Sequence, residues 1–150
     1  MIKGEDIVSE ARKWLDVPYR HQGRSVAGTD CVGLIIKVMQ GLAASGFPIV
    51  GENNTSVSDY DYGAYARIPN GISLMKEVSR MLTRVPTREM RMGDILLMRF
   101  RKDPQHLAIR SDLGIIHSHM DAGKVVEVNL NSRWTSRIIS VHRFKELSSG

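Results

Sequence analysis

One cysteine, Cys31, stands in the whole 150-residue chain, so no internal disulfide is available and the fold rests on packing. Apolar residues nowhere run on for the roughly 18 positions of a membrane-spanning helix. The first segment, MIKGEDIVSEARKWL, is broken by charge throughout and lacks the apolar stretch of a secretory signal. Synthesis in the cytosol without membrane insertion is the expectation. Internal repeats and low-complexity tracts are also missing, which excludes solenoid and fibrous architectures. So are blocks of like charge. The 21 Lys and Arg outnumber the 16 Asp and Glu, for a formal charge of +5, but they are scattered. No recognition-helix, zinc-finger or aromatic RNA-binding pattern accompanies them, so no nucleic-acid partner is expected.

What is present suits a packed domain. Hydrophobic residues make up 42% of the chain and charged ones 25%, close to ordinary globular composition, and the length suits a single domain over residues 1–150. Ile7, Val8, Ala11, Trp14 and Leu15 recur along one helical face until Val17-Pro18 ends the pattern, which predicts a helix from about Gly4 to Asp16. In TDCVGLIIKVMQGLAASG, Thr29 or Asp30 can cap a helix that is apolar on nearly every side and stops at Gly46. Such a helix belongs at the centre of the domain. Residues 46–71 read as a long loop suited to a substrate wall or a docking segment, and Ile72 to Leu82 as a third helix. From Gly93 the pattern turns to short β-type runs: DILLMRF, HLAIR, LGIIHSH, KVVEVNL and RIISVHRF. Helices first and an antiparallel sheet second define an α+β domain.

Cys31 falls on the first turn of the central helix, where unpaired N–H groups and the helix dipole favour a thiolate. A neighbouring imidazolium would lower its pKa further, so alkylation persisting well below pH 8 is expected. Flanked by Val32, Leu34 and Ile35, the same cysteine taken alone reads slightly better as core. The histidines discriminate better. If Ser111-Asp112 forms a two-residue hairpin, pairing of 110 with 113 carries on to 106 with 117. His106 and His117 then stand directly opposite, one ring holding the other in the orientation a base needs, while His119 lies beyond the pair. Each histidine alone also reads as an ordinary strand residue. Together the three are able to form a metal triad, but no carboxylate or second cysteine is placed to favour zinc, and no metal or cofactor is expected.

The run PYRHQGRSVAGTDCVGLI, followed by RMGDILLMRF, PQHLAI, IIHSH, NSRWTSRI and the ending VHRF, resembles the NlpC/P60 peptidases across nearly the whole chain. It most resembles the phage-associated branch found in tail-tip gene clusters. The resemblance implies a papain-like α+β fold, with the nucleophile at the start of a central helix packed on the sheet that carries the base. Carried over by position, Cys31 would be nucleophile, His106 the general base and acid, and His117 the residue orienting it. Tyr19 would line the site, Asp30 would meet the free amine of the substrate, and Gly93-Asp94 would be a structural turn. The implied reaction is hydrolysis of peptidoglycan stem peptides, at the D-glutamyl to diaminopimelate bond. The implied partners are phage tail-tip proteins, and the implied place of action is a virion tail at the bacterial cell wall. A tail-assembly protein that kept the fold without useful turnover is the alternative. Val32 stands where many members carry serine, so a hydroxyl that can bind substrate in relatives is missing.

Overall fold

The computed structural model describes residues 2–20, 24–46, 82–100 and 103–144. Helix α1 spans Gly4–Arg12 and starts where the Asp6 carboxylate accepts the main-chain N–H of Lys3 at 2.8 Å. It stops about four residues sooner than the apolar pattern suggests. Residues 13–16 form turns, Asp16 takes a left-handed φ of 71°, and its N–H donates to the Val125 carbonyl. The sheet edge thus captures the chain before the helix can continue. A two-residue pair follows, β1 (Arg24–Ser25) with β2 (Gly28–Thr29). Helix α2 then spans Cys31–Ala44 with Asp30 as its cap, as its sequence indicates, and Gly46 follows it at φ 96°.

The expected loop and third helix over 47–81 lie outside the described residues. Leu82, expected to end that helix, instead opens a strand, β3 (Leu82–Val85). Then come β4 (Ile95–Phe100), β5 (Asp103–Arg110), β6 (Ile115–His119) and β7 (Lys124–Val128). A one-turn helix, α3 (Ser132–Thr135), precedes β8 (Ile138–Phe144). All pairings are antiparallel, in the order β3-β8-β4-β5-β6-β7, so an α+β fold with a six-stranded sheet is observed.

Both faces of the sheet bury apolar side chains, which explains why DILLMRF is a continuous apolar run rather than an alternating one. Ile95, Leu97, Leu107, Ile109, Ile116 and Phe144 pack with Ile7, Leu34, Val38 and Cys31 from the two helices. On the opposite face Leu96, Met98, Ala108, Ile115 and Val141 gather with the partly buried Trp134, Leu130 and Ile138. The turn into β4 is structural. Gly93 at φ 95° lies so close to α1 that a Cβ there would come within 2.7 Å of the Gly4 Cα. The fully buried Asp94 accepts from the Arg91 N–H at 2.9 Å and from the Arg143 guanidinium at 2.8 and 2.9 Å.

One register differs from the expected one. The β5–β6 ladder pairs Ile109 with Ile116 and Arg110 with Ile115, so four residues, Ser111 to Gly114, form the turn. The Ser111 hydroxyl accepts the Gly114 N–H at 2.9 Å, and the Ser111 N–H donates to the Gly114 carbonyl at 2.8 Å. Glycine is required there because a Cβ would fall on the Val128 carbonyl. Continued along the strands, this register sets His119 opposite His106 and His117 on the diagonal. A shift of two residues keeps every side chain on its face, so the three histidines still share one side.

Candidate active site

The start of α2 is fixed from three directions. The Asp30 carboxylate accepts the Gly33 N–H at 2.8 Å, satisfying a helix-end donor, and is itself almost fully buried. Upstream, the Thr29 N–H donates to the Pro18 carbonyl at 2.9 Å, and the Thr29 carbonyl accepts the Arg20 N–H at 3.1 Å. From the sheet, the Ser118 hydroxyl donates to that same Thr29 carbonyl at 2.7 Å. Tyr19 is held by its N–H on the Gly123 carbonyl at 2.9 Å and by a bridge to Thr29. Its half-buried phenol is pushed up from its ordinary pKa by burial and then by the proximity of Cys31 and Asp30. The structure therefore brings Tyr19, Asp30 and Cys31 together.

Cys31 is 7% exposed, and its thiol is pushed up to about 12, by burial first and by the Asp30 carboxylate second. Main-chain hydrogen bonds from Leu107, Val32 and Cys31 itself act the other way, favouring the thiolate. The expected depression of this pKa is not found. A helix terminus contributes about 0.3–1 kcal/mol, up to about 2 when buried, whereas full burial shifts a pKa by up to about 3–5 units, and here burial prevails. Val32 is buried in the core.

The second half of the cluster lies on β5 and β6. Strand alternation sets Leu107 and Ile109 toward α2 and Ala108 on the other face, with the buried His106 just before Leu107 on the same strand. Cys31 approaches β5 at the main chain of Leu107, the residue next to His106. Buried His106 and His117 share a hydrogen bond, Nε2 to Nδ1 at 2.7 Å, although the two residues are diagonal rather than opposite. Burial holds His106 well below its ordinary pKa, with His117 and then His119 adding to the effect. His117 is pushed down to about 3 by burial and by His119. Both rings are neutral near pH 7. With His106 Nε2 engaged by His117, a proton taken from a thiol would go to Nδ1. That role requires Nε2–H of His106 to donate to His117 Nδ1, which leaves the His117 proton on its own Nε2.

Two residues without a role in the sequence reading complete the cluster. His119 stacks on His117 with centroids 4.9 Å apart and planes 11° apart. Trp134 stands perpendicular to both, 5.2 Å from His117 and 5.6 Å from His119. The signal for Trp134 was Asn131, a helix cap that starts the turn carrying the indole; its carboxamide accepts the N–H groups of Arg133 and Trp134. Among the described residues no set of three His, Cys, Asp or Glu is arranged to hold a metal ion, and no helix is long and apolar enough to cross a membrane.

A cysteine at the head of a buried helix, laid against a sheet that presents paired histidines, is the layout of the papain-like α+β fold. The sequence model of the NlpC/P60 family matches residues 16–143, and the chain belongs to that family. Among solved structures, it is similar to the NlpC/P60 domain of the peptidoglycan hydrolase SagA, with a TM-score of 0.60 at 20% identity over 95% of this chain and all of that one. It is also similar to an NlpC/P60 family protein from Bacillus cereus, with a TM-score of 0.65 at 18% identity over 96% of this chain and 41% of that one. A third similar structure is the peptidoglycan hydrolase RipB from Mycobacterium tuberculosis, with a TM-score of 0.53 at 22% identity over 93% of this chain and 63% of that one. The chain thus spans less than two thirds of the latter two. A search of curated proteins gives no match.

Proposed function

We propose that this chain is a cysteine peptidase acting on the stem peptides of peptidoglycan. The observation that carries the reading is the position of the Cys31 thiol, against the main chain next to His106, whose imidazole is tied to His117. As the Cys31 sulfur bonds to an amide carbonyl carbon, its proton passes to His106 Nδ1, so attack and proton transfer start from a neutral pair. His106 then delivers the proton to the leaving amine as the C–N bond breaks, leaving a thioester. Water adds to the thioester, gives a proton to His106, and the thiol departs with a proton returned. The N–H groups of Cys31 and Val32, which favour negative charge at the sulfur, are placed to serve a developing oxyanion as well. Tyr19 lines the entrance, and Asp30 supplies a carboxylate for a substrate amine.

Peptidoglycan as substrate draws on the names of SagA and RipB, both peptidoglycan hydrolases. The bond we assign is D-glutamyl to diaminopimelate. A further similar structure is an N-acetylmuramoyl-L-alanine amidase from Bacteroides uniformis. Action from a phage tail tip rests on the sequence resemblance to the phage-associated branch. Digestion of purified muropeptides followed by mass spectrometry tests the reading, with wild type releasing the cleaved stem and Cys31→Ala releasing none. A second reading is a structural tail-tip protein without turnover. It is favoured by one observation, the burial and neutrality of both Cys31 and His106. Intact muropeptides after incubation with wild type would select it.

A further inference from the structure

The hydrogen bond between His106 and His117 does not by itself fix the His117 ring. A half-turn of that imidazole about Cβ–Cγ would exchange Nδ1 for a carbon and break the contact, which is resisted only by the small net strength of one hydrogen bond. Packing on the ring must supply the rest. One side of it is covered by His119, stacked at 4.9 Å. Against this stack stands Trp134, at 87° to His117 and 83° to His119. The cap of α3 by Asn131 holds the indole there, and the Arg133 guanidinium lies 5.6 Å from its ring.

The atom left over points to the same residue. Nε2 of His117 is buried and meets no hydrogen-bond partner among the described residues. In the tautomer the reaction needs, this nitrogen carries the proton, and a buried N–H without an oxygen acceptor calls for another explanation. Perpendicular to this ring, with centroids 5.2 Å apart, is an indole, whose negative π-face is a weak acceptor for N–H.

We propose that Trp134 is a positioning residue: its indole holds the His117–His119 stack, takes the His117 Nε2–H on its π-face, and so keeps Nδ1 of His117 turned to His106. The proposal rests on the reading of Cys31, His106 and His117 as the reacting and orienting groups. Trp134 does not touch the thiol's chemistry; it acts through His117. The charged and titratable groups around this corner are His106 from β5, His119 from β6, Asp121 beyond it, Arg133 on α3 and Arg137 before β8. Burial lowers the pKa of His119 most, Asp121 opposes that shift, and the two arginines add to it.

The test uses the full chain with 15N-labelled histidine rings, in wild type, Trp134→Phe and Trp134→Met. In wild type and the Phe variant, ring NMR should show His117 as a single Nε2–H tautomer that does not titrate between pH 5 and pH 8. In the Met variant, which fills space without a π-face, the tautomers should mix and His117 should begin to titrate in that window. Muropeptide hydrolysis should follow, with kcat falling about tenfold or more in the Met variant, KM within twofold, and recovery in the Phe variant. An unchanged ring spectrum in the Met variant overturns the proposal. So does a wild-type spectrum with His117 protonated on Nδ1, a measurement that needs no variant to fold. If wild type cuts no muropeptide, the peptidase reading fails while the ring spectra still decide the role of Trp134.

Discussion

Alkylation of Cys31 across pH distinguishes a preformed ion pair from a neutral pair. The thiol is pushed up to about 12, whereas an unperturbed cysteine titrates at about 8.5, a gap worth about 5 kcal/mol against the thiolate. At pH 7 about one molecule in 100,000 would carry the thiolate, compared with about three in 100 for an ordinary cysteine. Because a less acidic thiolate is also the stronger nucleophile, iodoacetamide labelling, followed by intact mass over pH 6 to 10, should run about a hundredfold slower in the folded chain than in the denatured one at pH 7. The logarithm of the rate should climb one unit per pH unit without levelling. Burial also slows the reagent sterically, but obstruction alone does not change the slope against pH, so the absence of levelling decides. His106→Ala should leave that slope as it is, because no imidazolium stabilises the thiolate. A plateau beginning below pH 8, lost in His106→Ala, would refute the reasoning and restore the ion pair expected from the sequence.

Acid should weaken the fold through His117, whose folded pKa of about 3 lies below the ordinary 6.5. The unfolded chain binds the proton first, so the stability present above pH 6.5 is lost as pH falls toward 3, with roughly 3 kcal/mol gone by pH 4.5. Urea midpoints measured at pH 7 and 4.5 should show a smaller drop in His117→Gln. Asp94→Ala removes the buried partner of Arg143 and an acceptor of the Arg91 N–H, and should cost about 3–5 kcal/mol in urea unfolding without changing the slope of alkylation against pH. Ser118→Ala deletes the 2.7 Å bond to the Thr29 carbonyl. Stability should fall by about 1–2 kcal/mol, and hydrogen exchange at the start of α2 should quicken while β4 stays protected.

Much of the fold can be read in the linear pattern because its causes are local. The cap at Asp30, the apolar length of α2, the stop at Gly46 and the five β-type runs from Asp94 onward all appear in the structure within a few residues. Where the reading failed, a distant partner prevailed. The early end of α1 comes from Val125 capturing Asp16, and β3 exists because LTRV finds β8 across the sheet. Ser111 to Gly114 make a four-residue turn because the Ser111 hydroxyl closes it and Gly114 must pass the Val128 carbonyl. None of these partners lies within a window of ten residues along the chain, except inside that last turn.

The site divides the same way. By itself the sequence determined which groups are available, namely a single thiol at a helix start and histidines of matching parity on neighbouring strands, and the two-residue error in register left that parity untouched. It could not determine their charge. Protonation depends on how much water reaches each group, and water access is set by the α2–sheet packing and by the second apolar face, both assembled from residues far apart in the chain. Only the tertiary structure decided that the Cys31 thiol and the His106 ring each rest neutral. It alone also set His119 and Trp134 against His117, because ring contacts between β6 and α3 form only once the sheet has closed.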